Sequence, residues 1–219
     1  MATLVLFGAG DIARLAHHYF TRDSPHDVVA FTVDAEYRDA DTFLGLPLVD
    51  FDDVVDAYPP REHAMFIALS YAQMNSVRAA KYAAAKERGY ELVSYVSSRS
   101  TFLSDHPVGD NCFILEDTTI QPFVEIGNDV TIWSGGYIGH DSRIDDHAFI
   151  ASHIVVSGHC HVGDHCFLGV NATLHDNVSI APRTLVAAGA TVAKDTEPDS
   201  VHFPARSTTG DKKSGDVSI

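Results

Sequence analysis

The feature that most limits what this chain can become is a ladder of aliphatic residues spaced six apart. Stepping by six from Val108 gives Ile114, Ile120, Ile126, Ile132, Ile138, Ile144 and Ile150, then Val156, Val162, Leu168, Leu174, Ile180, Val186 and Val192. All fifteen positions are aliphatic and no insertion interrupts them. One anchor in six fits a short strand followed by a turn. Three such units close a triangular coil of about 18 residues, and successive coils stack about 4.8 Å apart, like strands in a sheet. Residues 108–192 are therefore expected to form a parallel β-helix of about five coils. The position two before each anchor is never charged and mostly small, and Cys112, Cys160 and Cys166 all fall on it. These cysteines read as buried wall residues rather than as ligands or nucleophiles. Glycine follows the anchor at 109, 127, 139, 163 and 169, which suits tight backbone packing or close approach of a ligand. The period alone leaves the handedness open.

Residues 1–105 have a different grammar, alternating strand and helix, and are expected to form a small parallel sheet. LVLF is a strand, Arg14–Phe20 a helix, DVVAFTVD a second strand ending at Asp34, and PLVD a short third. FDDVVDAY reads as helical, HAMFIALS as a buried strand and Ala72–Arg88 as a helix stopped by Gly89. ELVSYVSS reads as a strand leading into the repeats. Gly8-x-Gly10-x-x-Ala13 stands between the first strand and helix, with Asp34 some twenty residues on. Such a loop lets backbone and helix N-terminus approach a pyrophosphate, while the acid bonds a ribose or base. A dinucleotide site, a nucleotide-sugar site and a turn without a ligand all fit, although about 100 residues make only half of a full dinucleotide domain.

Composition excludes some partners. Of 219 residues 45% are apolar and 21% charged, as in soluble globular proteins, and no run approaches a membrane span. The opening MATLVLFGAG lacks a basic segment before its apolar run and reads as a strand, not a signal peptide, which implies a cytoplasmic protein. The net charge of −15 argues against nucleic acid. Within 108–192 the basic side chains are Arg143 and Arg183, so an anion there must use backbone N–H groups, these two, or Lys194, Arg206, Lys212 and Lys213 beyond. His147, His153, His159 and His165 also recur at six-residue spacing, three after the anchors, a phase expected at the corners. His147 and His165, one coil apart, could stack. Solvated turn histidines and a metal site are the two readings.

Taken together, the glycine loop, the domain order and the repeats resemble the NeuD/PglD-type sugar acyltransferases over about residues 3–195. The most specific stretches are Gly139-His140-Asp141, Cys166-Phe167-Leu168-Gly169-Val170-Asn171 and Ala188-Gly189-Ala190-Thr191. The resemblance implies an α/β N-terminal half-Rossmann-like domain (1–105) holding a nucleotide-linked sugar, a left-handed parallel β-helix (106–195), and a C-terminal tail (196–219). It implies a homotrimer with acetyl-CoA between β-helices, in bacterial surface glycan biosynthesis, with no metal cofactor, nucleic acid or membrane insertion. His140 looks like the general base and Asp141 its carboxylate partner. Gly8, Gly10, Asp11, Ile12 and Asp34 fall where the sugar nucleotide is held; Phe149, Val170 and Ala188 fall where acetyl-CoA is contacted. Arg183 and Lys194 are candidates for the CoA phosphates. The chain departs from the family in carrying Phe149 where members often have His, and Asp11-Ile12 where they have a Gly-His pair. Its ending reads His202-Phe203-Pro204-Ala205-Arg206 rather than G-x-P-A-K.

The chemistry is coherent on its own terms. An amine or hydroxyl attacking a thioester must lose a proton, and imidazole titrates near neutrality. Because strand neighbours point to opposite faces, an Asp141–His140 contact requires a corner or a subunit interface. Three alternatives are weighed by their residues: a sialic acid-type O-acetyltransferase, a non-catalytic nucleotide-sugar-binding scaffold, and a γ-type carbonic anhydrase. The last needs histidines 36 and 5 residues apart, and the sequence has neither spacing. After Pro204 the anchors cease and a mobile tail is expected.

Overall fold

A computed structural model describes residues 3–205. Its first part contains β1 (Thr3–Phe7), α1 (Asp11–Asp23), β2 (Asp27–Val33), β3 (Thr42–Phe43), β4 (Leu46–Asp50), α2 (Val54–Ala57), β5 (His63–Ile67) and α3 (Ser76–Glu87). The sheet order is β3-β4-β2-β1-β5, parallel except for the unexpected edge strand β3, which runs antiparallel to β4. Helix α1 buries Ala13, Ala16 and Phe20 on one side of the sheet with Phe31 and Phe66. The opposite layer joins Val5, Phe7, Met65 and Ile67 to Val54 of α2 and Ala85 of α3.

Two helices are shorter than their sequence patterns suggest. Helix α2 stops at Ala57 because Tyr58 precedes Pro59 and is driven out of the helical region. Helix α3 starts at Ser76, since Gln73, Met74 and Asn75 all have positive φ. ELVSYVSS leaves the sheet after a single bridge from Leu92 to Met65, and only Tyr95–Val96 of it is a strand.

That strand already belongs to a column of two-residue rungs. In each rung the second residue is an anchor facing inward and the first faces out, the ordinary alternation of a strand. Rungs pair in parallel with those 18 residues on, as Thr131–Ile132 does with Phe149–Ile150. The column has three faces. The first, on which the α/β part rests, runs from Tyr95–Val96 through Phe113–Ile114, Thr131–Ile132, Phe149–Ile150 and Phe167–Leu168 to Leu185–Val186 and Val201–His202. The second presents Thr101, Thr119, Tyr137, Val155, Thr173 and Thr191, none charged. The third presents Glu125, Arg143, His161 and Ser179. From Ile114 through Val192 the anchors are almost solvent-free, at most 6% exposed at Ile126, and each contributes roughly 2 kcal/mol of burial, while Val96, Phe102 and Val108 are partly buried.

From Val108 through Val186 the third residue after the anchor turns the corner in the left-handed region, with φ between 56° and 62° from Asp141 through Arg183. Asp, Asn and His dominate this phase, as expected of residues that tolerate positive φ. Gly139 and Gly169 serve tight stacking: an added Cβ would lie 2.6 Å from the Ser157 carbonyl carbon and 2.5 Å from the Ala188 nitrogen. The cysteines line the interior as expected, and burial pushes the thiols of Cys112 and Cys166 up to about 12.

The column starts earlier and ends later than the ladder from Val108 suggests. Val96 and Phe102 occupy the same phase, and their rungs pair with Phe113–Ile114 and Thr119–Ile120. A division at residue 105 thus falls inside the column. Val201–His202, expected in the tail, pairs with Leu185–Val186 as the last rung. The expectations placed on Arg206, Lys212 and Lys213, and on the mobility of the tail after Pro204 from residue 206 on, lie outside the described residues.

A buried polar cluster fixes the α/β part to the column. Arg78 of α3, 1% exposed, gives Nε to Asp129 Oδ2 at 3.1 Å, Nη1 to the Thr131 hydroxyl at 3.1 Å and Nη2 to the Asp129 carbonyl at 2.8 Å. Asp129, fully buried, also meets Asn111 Nδ2 at 2.7 Å and His147 Nδ1 at 2.9 Å. Asn111 Oδ1 in turn accepts from the Ile67 N–H at 2.7 Å, tying the end of β5 to the column.

Candidate active site

The strand order reverses between β1 and β5, because β2 and β4 lie on one side of β1 and β5 on the other. The crevice beyond the C-terminal ends of two such strands is where open α/β sheets bind ligands. Here the segments after β1 and β5 face the first face of the column, and a cavity of about 740 Å³ lies between them. Gly10, Asp11 and Ile12 line it from the β1 side, Ala68 to Tyr71 from the β5 side, and Trp133, Phe149, Ala151, Ser152, Phe167, Gly169, Val170 and Ala188 from the column. Six residues singled out in the sequence, Gly10, Asp11, Ile12, Phe149, Val170 and Ala188, are thereby brought into one cavity.

Local structure explains each wall. Gly8 has φ 126°, and a Cβ there would lie 2.8 Å from the Ala68 carbonyl oxygen, so the turn after β1 accepts only glycine. An added Cβ at Gly10 meets nothing within 4 Å, which leaves the loop backbone open to the cavity. The first-turn N–H groups of α1 point out from a helix end that has no side-chain cap, a ready place for an anion. Asp11, which would oppose an anion, is 3.1 Å from Arg14. The column wall is aromatic: Phe149 and Phe167 stack with centroids 5.7 Å apart, and Tyr71 packs on them at 4.9 and 4.8 Å. Trp133 Nε1 is buried there without a partner among the described residues. Sequence reasoning missed Tyr71, Trp133 and Phe167 as lining residues. Phe167 was visible as the outward residue one coil beyond Phe149.

His140 and Asp141 lie elsewhere, at the corner between the second and third faces. His140 Nδ1 is 2.8 Å from Asp141 Oδ2. The contact between sequence neighbours arises because Asp141 turns the corner with φ 57°. Both side chains are about half exposed. Within one chain, then, the second face separates this dyad from the cavity. Asp34 is outside the cavity too, its carboxylate 2.6 Å from Lys81 Nζ, and the ammonium lies over the rings of Phe7 and Phe51. Arg183 gives Nε to Asp199 Oδ1 at 2.5 Å on the corner between third and first faces, while Lys194 is exposed beyond the last rung of the second face.

The six-spaced histidines are distributed over three corners. His147 and His165 share one, with rings 4.8 Å apart, so the predicted one-coil neighbour pair is present. They are not solvated turn residues: His147 is 17% exposed and bonded to Asp129, and His165 is 22% exposed with Nδ1 2.9 Å from Asp164. No described helix is long and apolar enough to cross a membrane.

Residues 108–140 and 159–194 match the model for bacterial transferase hexapeptide (six repeats). No curated protein sequence matches the chain significantly. Among solved structures, a mutant of perosamine N-acetyltransferase from Caulobacter crescentus, in complex with CoA and GDP-perosamine, superposes with a TM-score of 0.80 at 23% identity, over 92% of this chain and 91% of that one. The acetyltransferase domain of PglB from Neisseria gonorrhoeae, in complex with acetyl coenzyme A, gives 0.80 at 16% identity over 93% and 98%. WeeI from Acinetobacter baumannii gives 0.77 at 20% identity over 92% and 96%. At these identities the likeness establishes a shared fold across both parts of the chain.

Proposed function

We propose that the protein is an acyl-CoA-dependent N-acyltransferase acting on a nucleotide-linked amino sugar, with His140 as general base and acetyl-CoA as donor. The observation that carries this reading is the single cavity that joins the glycine loop after β1 to Phe149, Val170 and Ala188 on the hexapeptide column. The sugar nucleotide binds with its diphosphate at the loop around Gly8, Gly10, Asp11 and Ile12, its nucleoside toward Asp34, and its sugar against the aromatic wall. The pantetheine arm follows the corner marked by Val170 and Ala188, and the CoA phosphates lie toward Lys194, whereas Arg183 is tied to Asp199 on another corner. The structural neighbours that carry CoA and GDP-perosamine, or acetyl coenzyme A, support this assignment of ligands.

In the reaction the sugar amine attacks the thioester carbonyl. As the C–N bond forms, the amine proton passes to the free Nε2 of His140, while Asp141 at Nδ1 holds the tautomer and stabilises the imidazolium. N–H donors of the corner backbone meet the developing oxyanion, the C–S bond breaks and CoA leaves. Because cavity and dyad border the same uncharged second face, a homotrimer of left-handed columns, packed over that face, lets the dyad of one protomer serve the cavity of the next. Such an enzyme works in the cytoplasm on precursors of surface glycans. The test is release of CoA thiol from acetyl-CoA against a panel of amino-sugar nucleotides. Activity is expected with at least one, falling about 10²–10⁴-fold in His140→Ala. Absence of thiol release with every sugar, or an unimpaired His140→Ala, would leave a non-catalytic sugar-binding column.

A further inference from the structure

His159 follows Asp141 by one coil and donates its backbone N–H to the His140 carbonyl at 2.9 Å. This places a second imidazole beside the dyad, with ring centroids of His140 and His159 5.0 Å apart and planes at 89°. One donor atom each from His140, Asp141 and His159 fall within 4.8 Å of one another, and all three residues are exposed. The His140 ring lies over Gly158, where an added Cβ would come 2.9 Å from Nε2. Asp176 accepts from the Gly158 N–H at 3.0 Å, adding a second carboxylate close by.

We propose that His140, Asp141 and His159 form a site for a divalent transition-metal ion of the zinc class, whose binding reversibly removes the base. The donor set is two nitrogens and one carboxylate oxygen. It suits Zn²⁺, Co²⁺, Ni²⁺ and Cu²⁺, whereas Mg²⁺ and Ca²⁺ prefer all-oxygen shells. Zinc–ligand distances of about 2.0–2.1 Å require donors about 3.3 Å apart in a tetrahedron. The backbones are already held by the corner and by the coil-to-coil hydrogen bond, so side-chain rotation alone closes the remaining gap. Water takes the fourth position. With three exposed ligands the ion exchanges freely, and this makes it an inhibitor rather than a resident cofactor. The inhibitory consequence rests on His140 being the base, whereas the site itself does not.

Co²⁺ titration of the full chain, read by its visible d–d absorption, measures the site without reference to activity. Saturable binding with one ion per chain is expected, weakened about tenfold or more in His159→Asn and in His140→Ala. Asparagine is chosen at 159 because it tolerates the φ of 56° found there. In the acyl-transfer assay Zn²⁺ should inhibit the native protein, with recovery on adding EDTA. His159→Asn should retain basal turnover and need about tenfold more Zn²⁺. Co²⁺ bound as tightly by both variants as by the native chain, or no saturation up to about 1 mM, would overturn the proposal. Site-dependent Co²⁺ binding in a protein that never transfers an acyl group would uphold the site and refute the enzyme reading instead.

Discussion

Asp23, the last residue of α1, accepts hydrogen bonds on Oδ2 from the Ser98 N–H at 2.9 Å and the Tyr95 hydroxyl at 2.6 Å. Hydrogen bonding from the Ser98 side chain first, from the Tyr95 hydroxyl next and then from the Ser98 N–H holds its carboxyl down at about 2, against 3.8 for the free group. The folded value lies below the unfolded one, so acid protonates the unfolded chain first. The stabilisation is complete above about pH 4 and disappears as pH falls through about 2. Asp23→Asn should therefore lower the urea midpoint at pH 7, and the gap to the native protein should close on titrating toward pH 2. A gap that is the same at both ends would mean that the carboxylate charge has no part in this joint. At this scale the sequence speaks unevenly. The cysteines were legible as wall residues because their phase in the repeat is their position in space. Asp23 was not, since an acid at a helix end looks like any solvated residue until its partner 72 positions away is known.

At the scale of elements the column and its docked helix teach opposite lessons. The ladder is readable because packing in a β-helix is local: the neighbour of each anchor is 18 residues on, and the period shows in the chain itself. Its first rungs escaped notice because Phe102 replaces an aliphatic anchor and ELVSYVSS resembles a sheet strand. Helix α3 conceals its main function. Arg78 sits among alanines and lysines as a surface residue would, yet it is buried and spans 51 positions to Asp129. Removing one partner of a buried ion pair leaves the other charge uncompensated, at a cost of about 3–5 kcal/mol. Arg78→Met should lose that much in urea unfolding, and combination with Asp129→Asn should recover part of it, because the orphaned carboxylate is then gone. Equal or additive losses would instead assign the effect to packing of the arginine stem.

For the whole molecule the decisive relation is between two corners of one face. The cavity opens beside the corner that follows the first face, the dyad beside the corner that follows the second, and the surface between them presents Thr119, Tyr137, Val155 and Thr173. The family resemblance supplied both residue sets from sequence but not their separation, because which corner a residue occupies depends on counting rungs around the column. If each site takes its cavity from one protomer and its dyad from the next, two inactive variants can complement each other. Ala188→Trp fills the cavity and leaves the dyad; His140→Ala removes the base and leaves the cavity. Each variant alone should be inactive. In assemblies formed from an equal mixture, a productive site needs a His140→Ala protomer presenting its intact cavity to an Ala188→Trp protomer presenting its intact dyad. Random assortment places that ordered pair at about one site in four, so co-refolded or co-expressed mixtures should regain about a quarter of native turnover. Mixing the finished, non-exchanging homo-oligomers should regain none. A co-assembled mixture as dead as its parents would mean that dyad and cavity meet within one chain, or never, and the second face would lose its place in the mechanism.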